Sequence, residues 1–201
     1  LKVYSEIMPC DASAEEIAAA HPSALILSGG PASVYAEDAP KIDPAVLDLG
    51  LPILGFCYGH QTIAVEMGGT VGHTEKGEYG AAGLHVAGGA LFEGTPAEQT
   101  VWMSHRDAVT VAPEGFTITA STDVCPVAAM ECVERKIYTT QFHPEVKHSE
   151  FGQQMLSNFL FTICGLEPNW NMDTIIEDSV AAIQQQVGDS RVILGLSGGV
   201  D

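Results

Sequence analysis

The stretch Pro52-Ile53-Leu54-Gly55-Phe56-Cys57-Tyr58-Gly59-His60-Gln61-Thr62-Ile63-Ala64 decides the fold. Its first part, Pro52–Phe56, is an apolar run of strand length. Its second part, residues 60–67, sets Ile63, Ala64 and Met67 on one helical face and stops at Gly68-Gly69. Between the two, Gly55 and Gly59 bracket Cys57 in the GxSxG nucleophile-elbow pattern, with Cys in place of Ser. The glycines permit a sharp strand-to-helix turn that lifts the central side chain above the sheet edge. There the helix N-terminus favours a thiolate. A free thiol with a pKa of ~8.5 is only a few per cent ionised at neutral pH, so this cysteine needs an activating partner.

Towards the N-terminus the spacing predicts a strand at Val3–Ile7, a helix at Ala12–Ala20 and a strand at Ala24–Leu27 that ends in Ser28-Gly29-Gly30-Pro31. A short helix follows at Pro44–Leu49. Strand–helix alternation of this kind predicts a parallel sheet covered on both faces. Past the helix the period changes. Val101–Met103, Ala108–Val111, Phe116–Ala120, Val127–Cys132 and Lys136–Phe142 read as short, mostly antiparallel strands, and residues 150–163 as helix. Glu167-Pro168-Asn169-Trp170 reads as a linker. Thr174 and Glu177 have capping-box spacing and open a helix with apolar Ile175, Ile176, Val180, Ile183 and Val187, closed by Gly188. Arg191–Leu196 reads as one more strand before Ser197-Gly198-Gly199-Val200-Asp201. The expected fold is α/β, a mostly parallel central sheet flanked by helices with an added antiparallel section over residues 1–166. Residues 167–201 would hold a linker and the start of a second α/β domain. The chain opens without Met in a strand-like run and stops inside a glycine-rich loop, so it reads as a fragment.

A candidate partner for the thiol lies in Gln141-Phe142-His143-Pro144-Glu145, which follows an apolar strand. In an extended segment His143 and Glu145 share a face, and Pro144 biases His143 towards that conformation. A carboxylate beside an imidazole orients the ring and stabilises its charged form. Taken alone, the tripeptide reads equally well as a surface turn; beside the cysteine elbow, the catalytic reading gains. His21, His60, His73, His85, His105 and His148 show no metal-ligand spacing, so no metal is expected in this part of the chain.

Composition narrows the classes further. Hydrophobic residues make up 46% and charged residues 17% of 201, a globular balance. No apolar run is long enough to span a membrane, and no signal-peptide pattern opens the chain, so the cytoplasm is the default compartment. A net charge of -18 with only eight Lys and Arg argues against a reader of nucleic-acid backbones. Five cysteines without a CxxC pair argue against a disulfide framework or zinc site, and Cys10, Cys125, Cys132 and Cys164 read as structural.

The apolar strand with Ser28-Gly29-Gly30-Pro31, then Gly55-Phe56-Cys57-Tyr58-Gly59-His60-Gln61, then Phe142-His143-Pro144-Glu145 resemble the class I (triad) glutamine amidotransferases, in the family's order. The resemblance covers nearly all of residues 1–165. It implies Cys57 as nucleophile, His143 as acid/base, Glu145 as third member, and an oxyanion hole from the backbone N–H groups of Gly30 and Tyr58. Gln61 matches a position that helps bind substrate glutamine. Trp102-Met103-Ser104-His105-Arg106-Asp107 is similar to the WMSHxD stretch of the GMP synthetase branch, which implies glutamine contacts around Ser104, His105, Arg106 and Asp107; Arg106 stands where Gly is frequent. Ser197, Gly198, Gly199, Val200 and Asp201 resemble the pyrophosphate loop of ATP pyrophosphatases, an ATP site in that branch. The same resemblance implies ATP, Mg²⁺, XMP and glutamine as the needs of a full-length enzyme, homodimeric through its C-terminal part. Family members start with a further strand and a DFGSQ-like turn that this sequence lacks. The alternatives are the glutaminase component of another pathway, such as anthranilate or carbamoyl phosphate synthesis, and a non-catalytic binding module.

Overall fold

The computed structural model describes residues 1–193, apart from the side chains of residues 74–76, 172–174 and 178. In chain order the elements are α1 (Ala14–Ala19), β1 (Leu25–Leu27), a 3-10 turn (Pro44–Asp48), β2 (Ile53–Phe56), α2 (Tyr58–Glu66), β3 (Thr70–Val86), β4 (Glu98–Val111), β5 (Thr117–Ser121), β6 (Ala129–Cys132), β7 (Ile137–Thr140), α3 (Gly152–Ser157) and α4 (Met172–Val187). A π-helical turn over Asn158–Ile163 prolongs α3. The strands form one mixed sheet ordered β1-β2-β7-β6-β5-β3-β4. β1, β2 and β7 run parallel, and the remaining pairs are antiparallel.

All four residues of β2 are buried, as a central parallel strand covered on both faces requires. Leu54 and Phe56 point into the larger core with Met103, Phe142, Met155 and Phe159. Ile53 packs on the opposite face with Ile63 of α2, Leu47 and Ile137. His60 of α2 is wholly buried between the Thr139 hydroxyl (2.7 Å) and the Val127 carbonyl (3.0 Å), which ties the helix to β7. Burial pushes its pKa down to about 3, against the opposing pull of the Val127 carbonyl, so it is neutral in the fold.

Several expected elements change. No strand forms at Val3–Ile7. The Lys2 carbonyl instead accepts the Trp170 N–H at 2.9 Å, and Tyr4 meets the Trp170 ring edge-on at 6.1 Å. Without a partner in the sheet, that segment has no ladder bonds to hold it as a strand. The strands expected at Val101–Met103 and Ala108–Val111 are one continuous strand, β4, because β3 pairs along its whole length. β3 itself, the longest strand among the described residues, is absent from the sequence expectations. Gly72, Gly77, Gly80 and Gly83 erase its hydrophobic alternation, and pairing with β4 overrides that weak local preference. The last long helix starts at Met172, two residues before the expected Thr174. Of the strand expected at Arg191–Leu196, residues 191–193 have no regular structure. The rest of it, with Ser197–Asp201, lies outside the described residues.

The chain divides into two compact units, one of Ile7–Leu166 and one of Leu1–Glu6 with the segment from Glu167 onward. No helix among the described residues is long and apolar enough to cross a membrane.

Candidate active site

Cys57 sits in the turn between β2 and α2 with φ 50 and ψ -103, a conformation rare for any residue but glycine. Such a backbone costs about 1–3 kcal/mol and persists only where its surroundings over-determine it. Here the Cys57 N–H donates to the Thr140 carbonyl of β7 at 2.8 Å, and the Cys57 carbonyl accepts the Gln61 N–H at 3.1 Å. The bracketing glycines let α2 press onto the sheet. A Cβ on Gly59 would lie 2.2 Å from the Leu27 carbonyl oxygen of β1. Cys57 is buried, 6% exposed, with its Sγ 3.6 Å from the Ser104 carbonyl of β4.

His143 lies three residues beyond β7, beside the same Gly29 backbone as Cys57. Its N–H donates to the Trp102 carbonyl at 3.0 Å, and its carbonyl accepts the Ser149 hydroxyl at 2.6 Å. Nδ1 lies 2.8 Å from Glu145 Oε1, as the shared face of positions 143 and 145 predicts. A hydrogen bond with the Cys57 thiol and a second with Glu145 push the His143 pKa up to about 10, against the downward pull of burial. Burial raises the Glu145 pKa, but the His143 bond, a backbone N–H and the imidazole charge outweigh it and hold the carboxyl below its usual range. Both shifts describe one arrangement, an imidazolium beside a carboxylate and the Cys57 sulfur. Glu145 thus holds the imidazole by a hydrogen bond and the imidazole lies beside the thiol, the order that nucleophilic catalysis at a carbonyl uses.

The Ser28–Pro31 turn lies beside both side chains. A Cβ on Gly29 would lie 3.1 Å from His143 Cε1, 3.4 Å from Cys57 Cβ and 3.9 Å from its Sγ, so this backbone borders both groups. Gly30 adjoins Tyr58, whose N–H is among the first four of α2 and has no acceptor within the helix. The two residues expected to supply oxyanion donors are thus neighbours at the start of α2.

The expected glutamine contacts divide. Gln61 is buried, and its amide donates to the Asp107 carbonyl at 2.6 Å and to Gln141 Oε1 at 3.0 Å. Ser104 and Arg106 lie on the exposed face of β4, while His105 and Asp107 point inward. Asp107 accepts the Ser33 hydroxyl at 2.6 Å and pairs with His73 Nδ1; His105 pairs with Glu78 at 3.1 Å. Ser33, His73, Glu78 and Gln141 were missed from sequence, where no motif marks them. Gln141 carries the clearest structural signal, a buried Nε2 without an acceptor.

One cluster among the described residues, Glu78, His105 and Cys125, brings three metal-ligand atoms within 4.8 Å of one another. Its Glu78 oxygens are already occupied by His105 and the Thr122 hydroxyl. Burial, aided by Glu78, pushes the Cys125 thiol up to about 12, and burial pushes Cys164 up to about 11, so both stay protonated. Cys132 is also buried, whereas Cys10 is exposed.

The sequence profile described as Glutamine amidotransferase class-I matches residues 1–163. A Streptomyces coelicolor protein named GMP synthase (glutamine-hydrolyzing) is 55% identical over 202 residues, an alignment covering 100% of this chain and 38% of that protein. A Syntrophomonas wolfei protein of the same name is 51% identical over 202 residues, covering 100% and 40%. The chain thus spans about two-fifths of the length of the curated relatives it matches. Among solved structures, a Thermoplasma acidophilum protein described provisionally as part of a GMP synthase superposes with a TM-score of 0.69 at 33% identity, over 90% of this chain and 84% of that one. A glutamine amidotransferase from Thermotoga maritima, at 19% identity and a TM-score of 0.53 over 82% and 78% of the two chains, shares the fold.

Proposed function

Because the chain belongs to the class I glutamine amidotransferase family, we propose that its Cys57–His143–Glu145 series hydrolyses glutamine to glutamate and ammonia. The observation that carries this is the strained Cys57 turn, φ 50, set against an imidazole that Glu145 holds at 2.8 Å. In the proposed mechanism the imidazolium of His143 already holds the proton of the Cys57 thiol, and the thiolate attacks the side-chain amide carbon of glutamine. The Gly30 and Tyr58 N–H groups receive the oxyanion, each worth about 3 kcal/mol of barrier. The tetrahedral adduct collapses as His143 gives its proton to the departing nitrogen, which leaves as ammonia. A glutamyl thioester remains. His143 next takes a proton from water, the hydroxide attacks the thioester carbon, and glutamate leaves with the thiol restored.

Gln61 and the exposed Ser104 and Arg106 of β4 are proposed to bind the glutamine, with the inward-facing His105 and Asp107 holding that part of the strand in place.

We further propose that ammonia is used to aminate XMP to GMP, with ATP and Mg²⁺ engaged by residues beyond this unit. Support comes from the names of relatives more than half identical along the whole chain. On this reading residues 1–166 form the amidotransferase domain. Residues 167–201 hold a linker and the start of an ATP pyrophosphatase domain, with Ser197–Asp201 as its phosphate loop. The whole enzyme would be cytoplasmic and dimeric through its C-terminal part. Cys57→Ala is the direct test. It is expected to abolish glutamine-dependent GMP formation in the full-length enzyme and to leave ammonia-dependent formation intact; undiminished use of glutamine by the variant overturns the assignment.

A further inference from the structure

Glu78 and His105 take no step in the mechanism above, yet His105 is buried and Glu78 largely so, with side-chain exposures of 1% and 10%. A carboxylate taken out of water needs partners, and this one has a closed set. Its Oε2 lies 3.1 Å from His105 Nε2, and its two oxygens stand 2.8 and 3.0 Å from the Thr122 hydroxyl. That hydroxyl in turn accepts the Cys125 N–H at 2.9 Å. The register shift between His73 and Glu78 sets Glu78 opposite His105, and a Cβ on Gly77 would meet the His105 carbonyl at 2.8 Å. A side-chain pair therefore adds to the ladder between β3 and β4 at this register shift.

From His105 the contacts lead to the thiol by two routes. The preceding residue, Ser104, presents its carbonyl 3.6 Å from Cys57 Sγ. On the other side, His105 Nδ1 lies 3.1 Å from the Asp107 carbonyl, which also accepts the Gln61 amide of α2, one turn past Cys57. Resting on the nucleophile reading above, we propose that Glu78 and His105 are positioning residues that hold the Ser104 and Asp107 carbonyls and so keep the sulfur turned towards His143. Neither residue touches the substrate.

The test is alkylation by iodoacetamide, read cysteine by cysteine by mass spectrometry, beside glutamine hydrolysis. Exposed Cys10 serves as the internal reference and buried Cys132 as the report on folding. In Glu78→Leu, Cys57 labelling relative to Cys10 is expected to fall about tenfold, as a displacement of an ångström or less allows, with Cys132 still protected and hydrolysis reduced in parallel. Glu78→Gln keeps the acceptor for His105 and is expected to restore both. Should Glu78→Leu expose Cys132, Thr122→Val, which keeps the Glu78–His105 pair but takes the hydroxyl from Glu78 and from the Cys125 N–H, is read in the same way. Wild-type labelling and hydrolysis in a variant with Cys132 protected overturn the positioning role. A wild-type Cys57 that neither labels nor supports hydrolysis overturns the nucleophile reading instead.

Discussion

Gly59→Ala sets two effects of opposite sign against each other. Position 59 is the second residue of α2, where helix propensity alone favours alanine by about 1 kcal/mol. The packing opposes it. The added methyl would lie 2.2 Å from the Leu27 carbonyl oxygen and 2.9 Å from the Leu27 carbonyl carbon and Cβ, and backbone cannot swing aside as a side chain would. Restoring contact distances requires the start of α2 to lift by about 1 Å, a repacking that costs about 1–3 kcal/mol or more. Crowding therefore wins, and the variant is expected to lose stability. The larger effect falls on activity. The lift draws Cys57 away from the Thr140 carbonyl at 2.8 Å and from the Ser104 carbonyl at 3.6 Å. A displacement of about 1 Å at a reacting group can lower kcat by about a hundredfold. Gly68→Ala supplies the control. Its φ of 87 makes alanine unfavourable, yet a Cβ there meets nothing within 4 Å and the site is distant from the thiol. It is expected to lose stability with kcat unchanged. Urea denaturation and glutamine hydrolysis measured on both variants decide the matter. A Gly59→Ala protein with the wild-type midpoint and a kcat within about twofold would refute the reasoning.

Two further predictions concern titration. His60 is neutral in the fold with its pKa near 3, while the unfolded chain binds its proton near 6.5. Stability is therefore complete above pH 6.5 and lost progressively as pH falls towards 3, by about 5 kcal/mol at about 1.4 kcal/mol per pH unit. Denaturation midpoints of His60→Gln across that range are expected to show a flatter acid limb; an identical slope refutes the assignment to His60. For His143 the sign is opposite, because its pKa is raised to about 10 by the thiol and by Glu145. Its stabilising pair is intact below 6.5 and fails as pH rises through 10. Glu145→Gln removes one of the two raising partners, so the alkaline limb of the glutaminase profile is expected to move to lower pH, with kcat reduced by about 10²–10⁴. An unmoved limb would separate Glu145 from the proton chemistry.

The parts of the site that were legible in sequence are those whose geometry is local. Gly55, Cys57 and Gly59 dictate a turn within five residues, and the two-residue period of an extended segment places His143 beside Glu145. The parts that were not legible come together across long separations. Ser33 reaches Asp107 from 74 residues away, and Gln141 meets Gln61 across 80. Glu78 is set opposite His105 by a register shift between strands. No periodicity encodes such contacts, since each follows from which strands pair and in what register. The fold divides likewise. The parallel half follows from strand–helix alternation, whereas β3 stayed hidden because its glycines remove the pattern that marks a strand. The expectation at Val3–Ile7 failed for the converse reason: local strand preference was present and no pairing partner was.

That division bears on how the site holds its shape. The nucleophile and the base arrive from different loops, yet each is gripped by the same two strands. β7 pins the Cys57 N–H through Thr140 and leads directly into His143. β4 faces the sulfur through the Ser104 carbonyl and accepts the His143 N–H at Trp102. β7 is also the joint of the sheet, parallel to β2 on one side and antiparallel to β6 on the other. A shift of β4 relative to β7 therefore alters the support of thiol and imidazole together. The distance between them depends on the register of the whole sheet more than on either loop. A substitution that loosens β4, such as one at the buried Glu78–His105 pair, acts on the reacting groups without touching them, whereas one at an exposed loop tip leaves both in place.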